Sequence, residues 1–264
     1  MIDCKSIAAE IKRELKQELE KSAGQPRLAI IQVGNNEASN RYVAGKMKDC
    51  EEVGIASCIF RYQESDSEET ILKEIQYLNE RVDVHGIIVQ LPLPKHMDEQ
   101  KIVQSIDPKK DVDGFTSESK FTPCTPLGVL TLLDKMGVDV KGKMITLVGY
   151  GKLVNKPLFP ILSDMGATVC VCRSNTRAID LEILGCFSDI IITAVGKHGI
   201  IRGDYLLDTH IVIDCGIEVI DGRQHGDCEE SVYNVVSRVT PRIGGMGLMT
   251  RAALMMNVVE AWRE

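Results

Sequence analysis

Short apolar runs that stop at glycine, asparagine or proline alternate with stretches of helical periodicity, and this alternation limits what the chain can fold into. The runs lie at 28–34, 55–60 and 86–91, then at 144–149, 167–172, 189–195 and 211–216. Each is too short for a buried helix and mostly apolar, as in strands covered on both faces. Between them, apolar residues recur at helical spacing. Ile7, Ile11, Leu15 and Leu19 lie in a helix opened by Asp3 or Ser6 and closed near Gly24. Ile71, Leu72, Ile75 and Leu78 follow the capping-box pattern Ser65-x-x-Glu68. Strands alternating with helices predict an α/β protein with parallel sheets. Two domains are expected: residues 1–120, with a C-terminal helix (249–264, helical over about 250–263) packing back on them, and a Rossmann-type unit over 121–248. Thr125-Pro126 starts the bridging helix and Gly137 stops it. Ligands of such sheets bind beyond the carboxyl ends of the strands.

Composition narrows the function classes. The 264 residues are 44% hydrophobic and 26% charged, enough for sizeable cores. No apolar run approaches the roughly 18 residues of a membrane span, and no basic segment followed by an apolar one suggests a signal peptide. A net charge of −7 argues against general nucleic-acid binding. The nine cysteines fall mostly inside apolar runs, without Cys-x-x-Cys pairs or Cys/His clusters at zinc spacing. Cys170 and Cys172 share one strand face, a poor placement for a disulfide. Reduced thiols, a cytoplasmic setting and no structural metal are expected.

Chemistry concentrates in three places. In the segment 38–50, Tyr42 and Lys46 are four residues apart on a helix that Ser39 or Asn40 caps and Gly54 ends. An aromatic ring one turn from an amine, beside the Ser39 hydroxyl, suits a flat polar ligand. The alternative is an ordinary amphipathic helix with Tyr42, Val43, Met47 and Val53 inward and Lys46 in solvent. Gln90 precedes Leu-Pro-Leu-Pro, whose prolines end ladder pairing, so it lies at a strand's carboxyl end; the alternative is an amide that only satisfies loop backbone. Asp111 and Asp113 could bind a cation, but Lys109 and Lys110 oppose it and no further ligands follow.

Ser39-x-x-Tyr42-Val43-x-x-Lys46, Val89-Gln-Leu-Pro-Leu-Pro94, Asp107-Pro-x-Lys-Asp-Val-Asp-Gly114 and Pro123-Cys-Thr-Pro126 occur in this order and spacing. Together they resemble the bifunctional methylenetetrahydrofolate dehydrogenase/methenyltetrahydrofolate cyclohydrolase family, across nearly the whole chain. The resemblance implies oxidation of 5,10-methylene-tetrahydrofolate with a nicotinamide cofactor, then hydrolysis of the methenyl product to 10-formyl-tetrahydrofolate, in a cleft between the domains of a homodimer. It makes Lys46 the catalytic lysine, Gln90 its neutral partner, Tyr42 the residue stacking on the pterin-like ring and Asp113 the anchor of its amino-pyrimidine edge. A carboxylate meets two adjacent N–H donors of such an edge in paired fashion. Asp111 is assigned to loop structure. Ser39, Leu91, Pro92 and Gly245 complete the substrate contacts. A lysine amine is a weak base at neutral pH while it stays protonated; burial favours the free amine, and a neutral amide partner does not oppose this.

The cofactor half departs from the family pattern. Gly149-Tyr-Gly-Lys-Leu-Val-Asn-Lys-Pro157 replaces Gly-Arg-Ser-x-x-Val-Gly-x-Pro, so Tyr150 stands for arginine and Asn155 for glycine. Expected cofactor contacts are Gly149, Tyr150, Gly151, Arg173, Ser174, Thr193, Ala194, Gly196, Cys215, Gly216 and Ile217. No acid for a ribose 2′-hydroxyl occurs over 167–177. Arg173 with Ser174 is suited to a 2′-phosphate instead, which favours NADP over NAD. Arg242, Ile243 and Leu248 replace a valine and two prolines, with Arg242 adding a charge near the cleft, and Glu218 replaces an asparagine. Two alternatives remain: a cyclohydrolase with a weak or NAD-specific dehydrogenase, and a folate-binding relative without turnover.

Overall fold

The computed structural model describes residues 1–264. Contacts divide the chain into two compact units, one of Ala9–Cys124 with Arg251–Glu264, the other of Met1–Ala8 with Thr125–Thr250. Helix α1 (Cys4–Leu19) opens at Asp3, whose Oδ1 accepts the Ser6 N–H at 3.0 Å. The first eight residues group with the second unit, where the Ile2 N–H donates to the Val239 carbonyl at 2.9 Å.

In the first unit, β1 (Arg27–Val33) leads into α2 (Glu37–Val53), β2 (Ala56–Tyr62), α3 (Glu68–Glu80) and β3 (Gly86–Val89). The sheet order is β2-β1-β3 and both pairings are parallel. Leu28, Ala29, Ile30 and Ile31 of the central strand are all fully buried, as continuous apolarity demands. Helix α3 sets Ile71, Ile75 and Leu78 on one face of that sheet, against Ala29, Ile31 and Val33. Each such side chain contributes roughly 1.5–3 kcal/mol by leaving water. Two caps differ from expectation. Asn36, rather than Ser39 or Asn40, caps α2 by accepting the Ser39 N–H. Ser67, rather than Ser65, caps α3 through the Thr70 N–H. In each case the extended backbone needed at a cap falls outside the expected residue. A short α4 (Glu99–Gln104), opened by Asp98, escaped the periodicity because it is a turn and a half long.

In the second unit, α5 (Cys124–Lys135) begins just before Thr125-Pro126, and β4 (Met144–Val148), α6 (Asn155–Asp164), β5 (Thr168–Cys172), α7 (Ala178–Phe187), β6 (Ile190–Thr193) and β7 (Ile211–Asp214) follow. A hairpin of β8 (Glu218–Ile220) and β9 (Arg223–His225) turns at Asp221-Gly222, both at positive φ. Helix α8 (Glu230–Val235), β10 (Arg238–Val239) and α9 (Met246–Arg263) complete the chain. The parallel sheet has the order β10-β7-β6-β4-β5. The chain leaves β4 for β5 on one side and returns for β6 on the other, so the loop after β4 lies at the switch point where Rossmann sheets bind ligands.

The last helix starts at Met246, four residues ahead of expectation, and its later part belongs to the first unit. There the Asn257 amide donates to the Val112 and Thr122 carbonyls at 2.9 and 3.0 Å. All nine cysteines are unpaired, and no helix is long and apolar enough to cross a membrane.

Candidate active site

Helix α2 buries its amine. Lys46 is only 5% exposed, with Val43 and Val53, so the helix does not leave its lysine in solvent. The Nζ stands 3.9 Å from Asp113 Oδ2 and 5.2 Å from the centre of the Tyr42 ring. Its ion-pair partner is thus a carboxylate, which motif spacing alone did not foretell. Burial, and next the Asp113 charge, push the Tyr42 phenol well up, so it stays protonated.

Asp113 is held by its own loop. The single Cys124 S–H is shared between the Val112 carbonyl at 3.2 Å and Asp113 Oδ1 at 3.6 Å. Burial raises that thiol well above the usual range, followed by the Asp113 charge, which keeps it a donor. Asp111, fully buried, spends both oxygens on backbone, accepting from Gly114 N–H at 3.1 Å and Thr116 N–H at 2.7 Å. It builds the loop that presents Asp113, as expected.

Gln90 follows β3 and continues its pairing, donating its backbone N–H to Ile31 at 2.8 Å. Its side-chain amide N–H donates to the Leu91 carbonyl at 2.8 Å, while Oε1 is buried without a partner. A satisfied loop amide would not leave that acceptor orphaned. The Leu91–Pro92 bond is cis, and Ser39 is buried one turn before Tyr42. Two features escaped the sequence reading. Gln32, buried on β1, donates to Asn40 Oδ1 at 2.6 Å and has its own Oε1 unpartnered; its signal was a polar residue inside an apolar run. Asp49, one turn beyond Lys46, is buried between Lys12 and Arg251, each at 3.0 Å; nothing in local spacing joins those three.

In the second unit the expected cofactor residues cluster at the carboxyl ends of β4 to β7. Gly149 has φ 87°, and a side chain there would meet the Ala194 carbonyl oxygen at 2.7 Å, so the turn after β4 requires glycine. Tyr150 and Gly151 continue it, and Arg173 with Ser174 opens the turn after β5. Gly196, also at positive φ, follows β6; Cys215, Gly216 and the exposed Ile217 follow β7. Thr193 is a correction: fully buried, it donates its hydroxyl to Asp227 Oδ2 at 2.6 Å and is spent on structure. The same carboxylate accepts Val195 N–H at 2.7 Å and Lys197 N–H at 2.8 Å, so Asp227 shapes the loop after β6. Burial raises the Asp214 carboxyl and the Cys215 thiol.

Two departures also read differently in three dimensions. Asn155 is fully buried, its amide donating to the Val148 and Gly149 carbonyls at 2.9 and 3.0 Å, so it braces the turn from beneath. Arg242 does not present a free charge: it pairs with Glu230 and lies 4.4 Å over the Tyr233 ring. Gly245, in the same 240–245 loop, sits tight against the Pro241 carbonyl.

The sequence profile of the tetrahydrofolate dehydrogenase/cyclohydrolase catalytic domain matches residues 2–113, and that of its NAD(P)-binding domain matches residues 123–264. The chain belongs to this family. A bifunctional protein FolD from Agathobacter rectalis is 44% identical over 277 aligned positions, covering 100% of this chain and 99% of that protein. The crystal structure of the bifunctional FolD enzyme from Campylobacter jejuni, 40% identical, superposes with a TM-score of 0.93 over 99% of this chain and 98% of its own. A Trypanosoma brucei FolD structure complexed with NADP cofactor and an inhibitor is 29% identical, with a TM-score of 0.92 over 100% and 97% of the two chains. The two family domains divide near 113–123, as the fold does near Cys124.

Proposed function

We propose that this family member is a bifunctional one-carbon enzyme that oxidises 5,10-methylene-tetrahydrofolate with NADP and hydrolyses the methenyl product to 10-formyl-tetrahydrofolate. The observation that carries the reading is the buried Lys46 amine flanked by the Tyr42 ring and the Asp113 carboxylate. A site for mere binding would not need to bury an amine at that cost.

In this reading Asp113 accepts the paired N–H donors of the amino-pyrimidine edge, and the Cys124 thiol fixes the carboxylate's orientation. The Tyr42 ring stacks on the ligand. Lys46 Nζ assists the addition of water to the methenyl carbon and the proton transfers that open the ring to the formyl product. The orphaned Gln90 Oε1 orients the amine or the water, and Ser39, Leu91 and Pro92 complete the contacts. NADP supplies the hydride acceptor when bound. The Gly149 turn fits a phosphate-bearing dinucleotide because its backbone is free of side-chain bulk, and Gly151, Ser174, Ala194, Gly196, Cys215, Gly216 and Ile217 rim the same strand ends. Arg173 suits a 2′-phosphate. Asn155 and Arg242, both committed within the fold, favour an intact dehydrogenase over a disabled one.

The unpaired cysteines support a reducing, cytoplasmic setting. A homodimer through the second unit is supported by the edge position of β5 and by Ile179, Ile183 and Phe187, exposed along one face of α7.

The deciding experiment compares wild type with Lys46→Met, following loss of methenyl-tetrahydrofolate absorbance and measuring folate binding by calorimetry. Loss of hydrolysis with folate binding retained is the expected result. Equal turnover in the two proteins would remove Lys46 from the chemistry, and inert wild type would leave the folate-binding alternative standing.

A further inference from the structure

The turns after β4 and β5 are tied together. These strands pair with Val148 opposite Cys172, and the Gly149 N–H extends the ladder to the Cys172 carbonyl at 2.9 Å. Tyr150 and Arg173 therefore emerge side by side, and the Arg173 guanidinium carbon stands 4.3 Å from the Tyr150 ring centre. The ring has support of its own, meeting Phe159 of α6 edge-on with centroids 6.3 Å apart. The Arg173 backbone is fixed too, by its N–H donating to Thr176 Oγ1 at 2.8 Å and its carbonyl accepting from Thr176 N–H at 2.9 Å.

What the guanidinium lacks is an acceptor. It makes no hydrogen bond or ion pair within the chain, whereas Arg177 grips Asp180 with two bonds of 2.6 and 2.7 Å. Asp180 is also the first acid after the β5 turn in sequence, and its carboxylate is already paired. A guanidinium stacked by its face keeps its planar N–H edge free, and that edge matches two phosphate oxygens.

We propose that Tyr150 and Arg173 form one clamp for a phosphate monoester on the ribose 2′ position, with Tyr150 as a positioning residue that holds the guanidinium flat and ready. This rests on the dinucleotide-binding reading above and extends it to a selectivity device. An unstacked arginine at an exposed turn would sample many rotamers and lose that freedom on each binding event. The stack removes part of the loss beforehand.

Calorimetry with 2′,5′-ADP and 5′-AMP tests the clamp without relying on turnover. Arg173→Ala should weaken 2′,5′-ADP about 10- to 100-fold, the range of a charge-assisted paired bond. Tyr150→Leu should weaken it about 2- to 10-fold, and Tyr150→Phe, which keeps the ring face, should restore it. In all three variants 5′-AMP should bind as in wild type, with thermal melting confirming the fold. Equal losses for both nucleotides would overturn the proposal, because the pair would then be gripping adenine. A Tyr150→Leu variant that binds 2′,5′-ADP like wild type would refute the positioning role. Wild type that binds neither nucleotide would instead sink the dinucleotide reading, and the clamp with it.

Discussion

Glycine inside a helix costs about 1 kcal/mol relative to alanine, yet Gly45 sits in the middle of α2. The reason lies in the opposing helix: a methyl group at residue 45 would overlap the Arg251 guanidinium, which fills that space on its way to Asp49. Gly45→Ala therefore gains about 1 kcal/mol of helix propensity and forces Arg251 away from a carboxylate that is 5% exposed. Losing a charged partner of a buried carboxylate costs about 2–3 kcal/mol, taken below the fully buried range because the arginine is 21% exposed and Lys12 still holds Asp49 at 3.0 Å. Net destabilisation of about 1–2 kcal/mol follows from the difference of these terms. In an Arg251→Ala background the overlap is gone, and the same substitution should stabilise by about 1 kcal/mol. Urea unfolding of the four proteins of this double-mutant cycle gives a coupling of about 2–3 kcal/mol if the reasoning holds. Stabilisation by Gly45→Ala in both backgrounds would refute it.

Three further outcomes follow from the structure. Asn155→Ala leaves the Gly149 carbonyl without its buried donor, while the Val148 carbonyl keeps the Ala194 N–H, and should cost about 1–3 kcal/mol in urea unfolding. An unchanged midpoint would deny the bracing role. Burial raises the thiols of Cys4 and Cys172 to about 11 and that of Cys50 to about 12, so at pH 8 they stay protonated; iodoacetamide should label exposed Cys186 first, read by mass spectrometry. Early labelling of Cys50 would contradict this. Phe187→Glu, which puts a charge on the exposed apolar face of α7, should shift the proposed dimer towards monomer in sedimentation velocity, and an unshifted species would refute an interface on this face.

The resemblance placed Lys46, Tyr42, Gln90 and Asp113 together, and helical spacing alone already paired the first two. The ion pair of Lys46 with Asp113 and the thiol of Cys124 behind it were not legible, because they join α2 to a loop more than sixty residues later and the start of α5. Arg242 and Asn155 show the same limit: as letters they read as damage to a cofactor site, and in space each has a partner within the fold.

By itself, the sequence determined the strand and helix alternation, the parallel sheets and the places of seven strands. These follow from apolar periodicity and backbone restrictions of glycine and proline, which act over a few residues. Only the tertiary structure decided which charges are buried and paired, because the low dielectric and the partners that set a buried group's chemistry come from distant segments. Lys46 is an ordinary surface letter on a helical wheel. The loop carrying Asp113 makes it half of a buried ion pair.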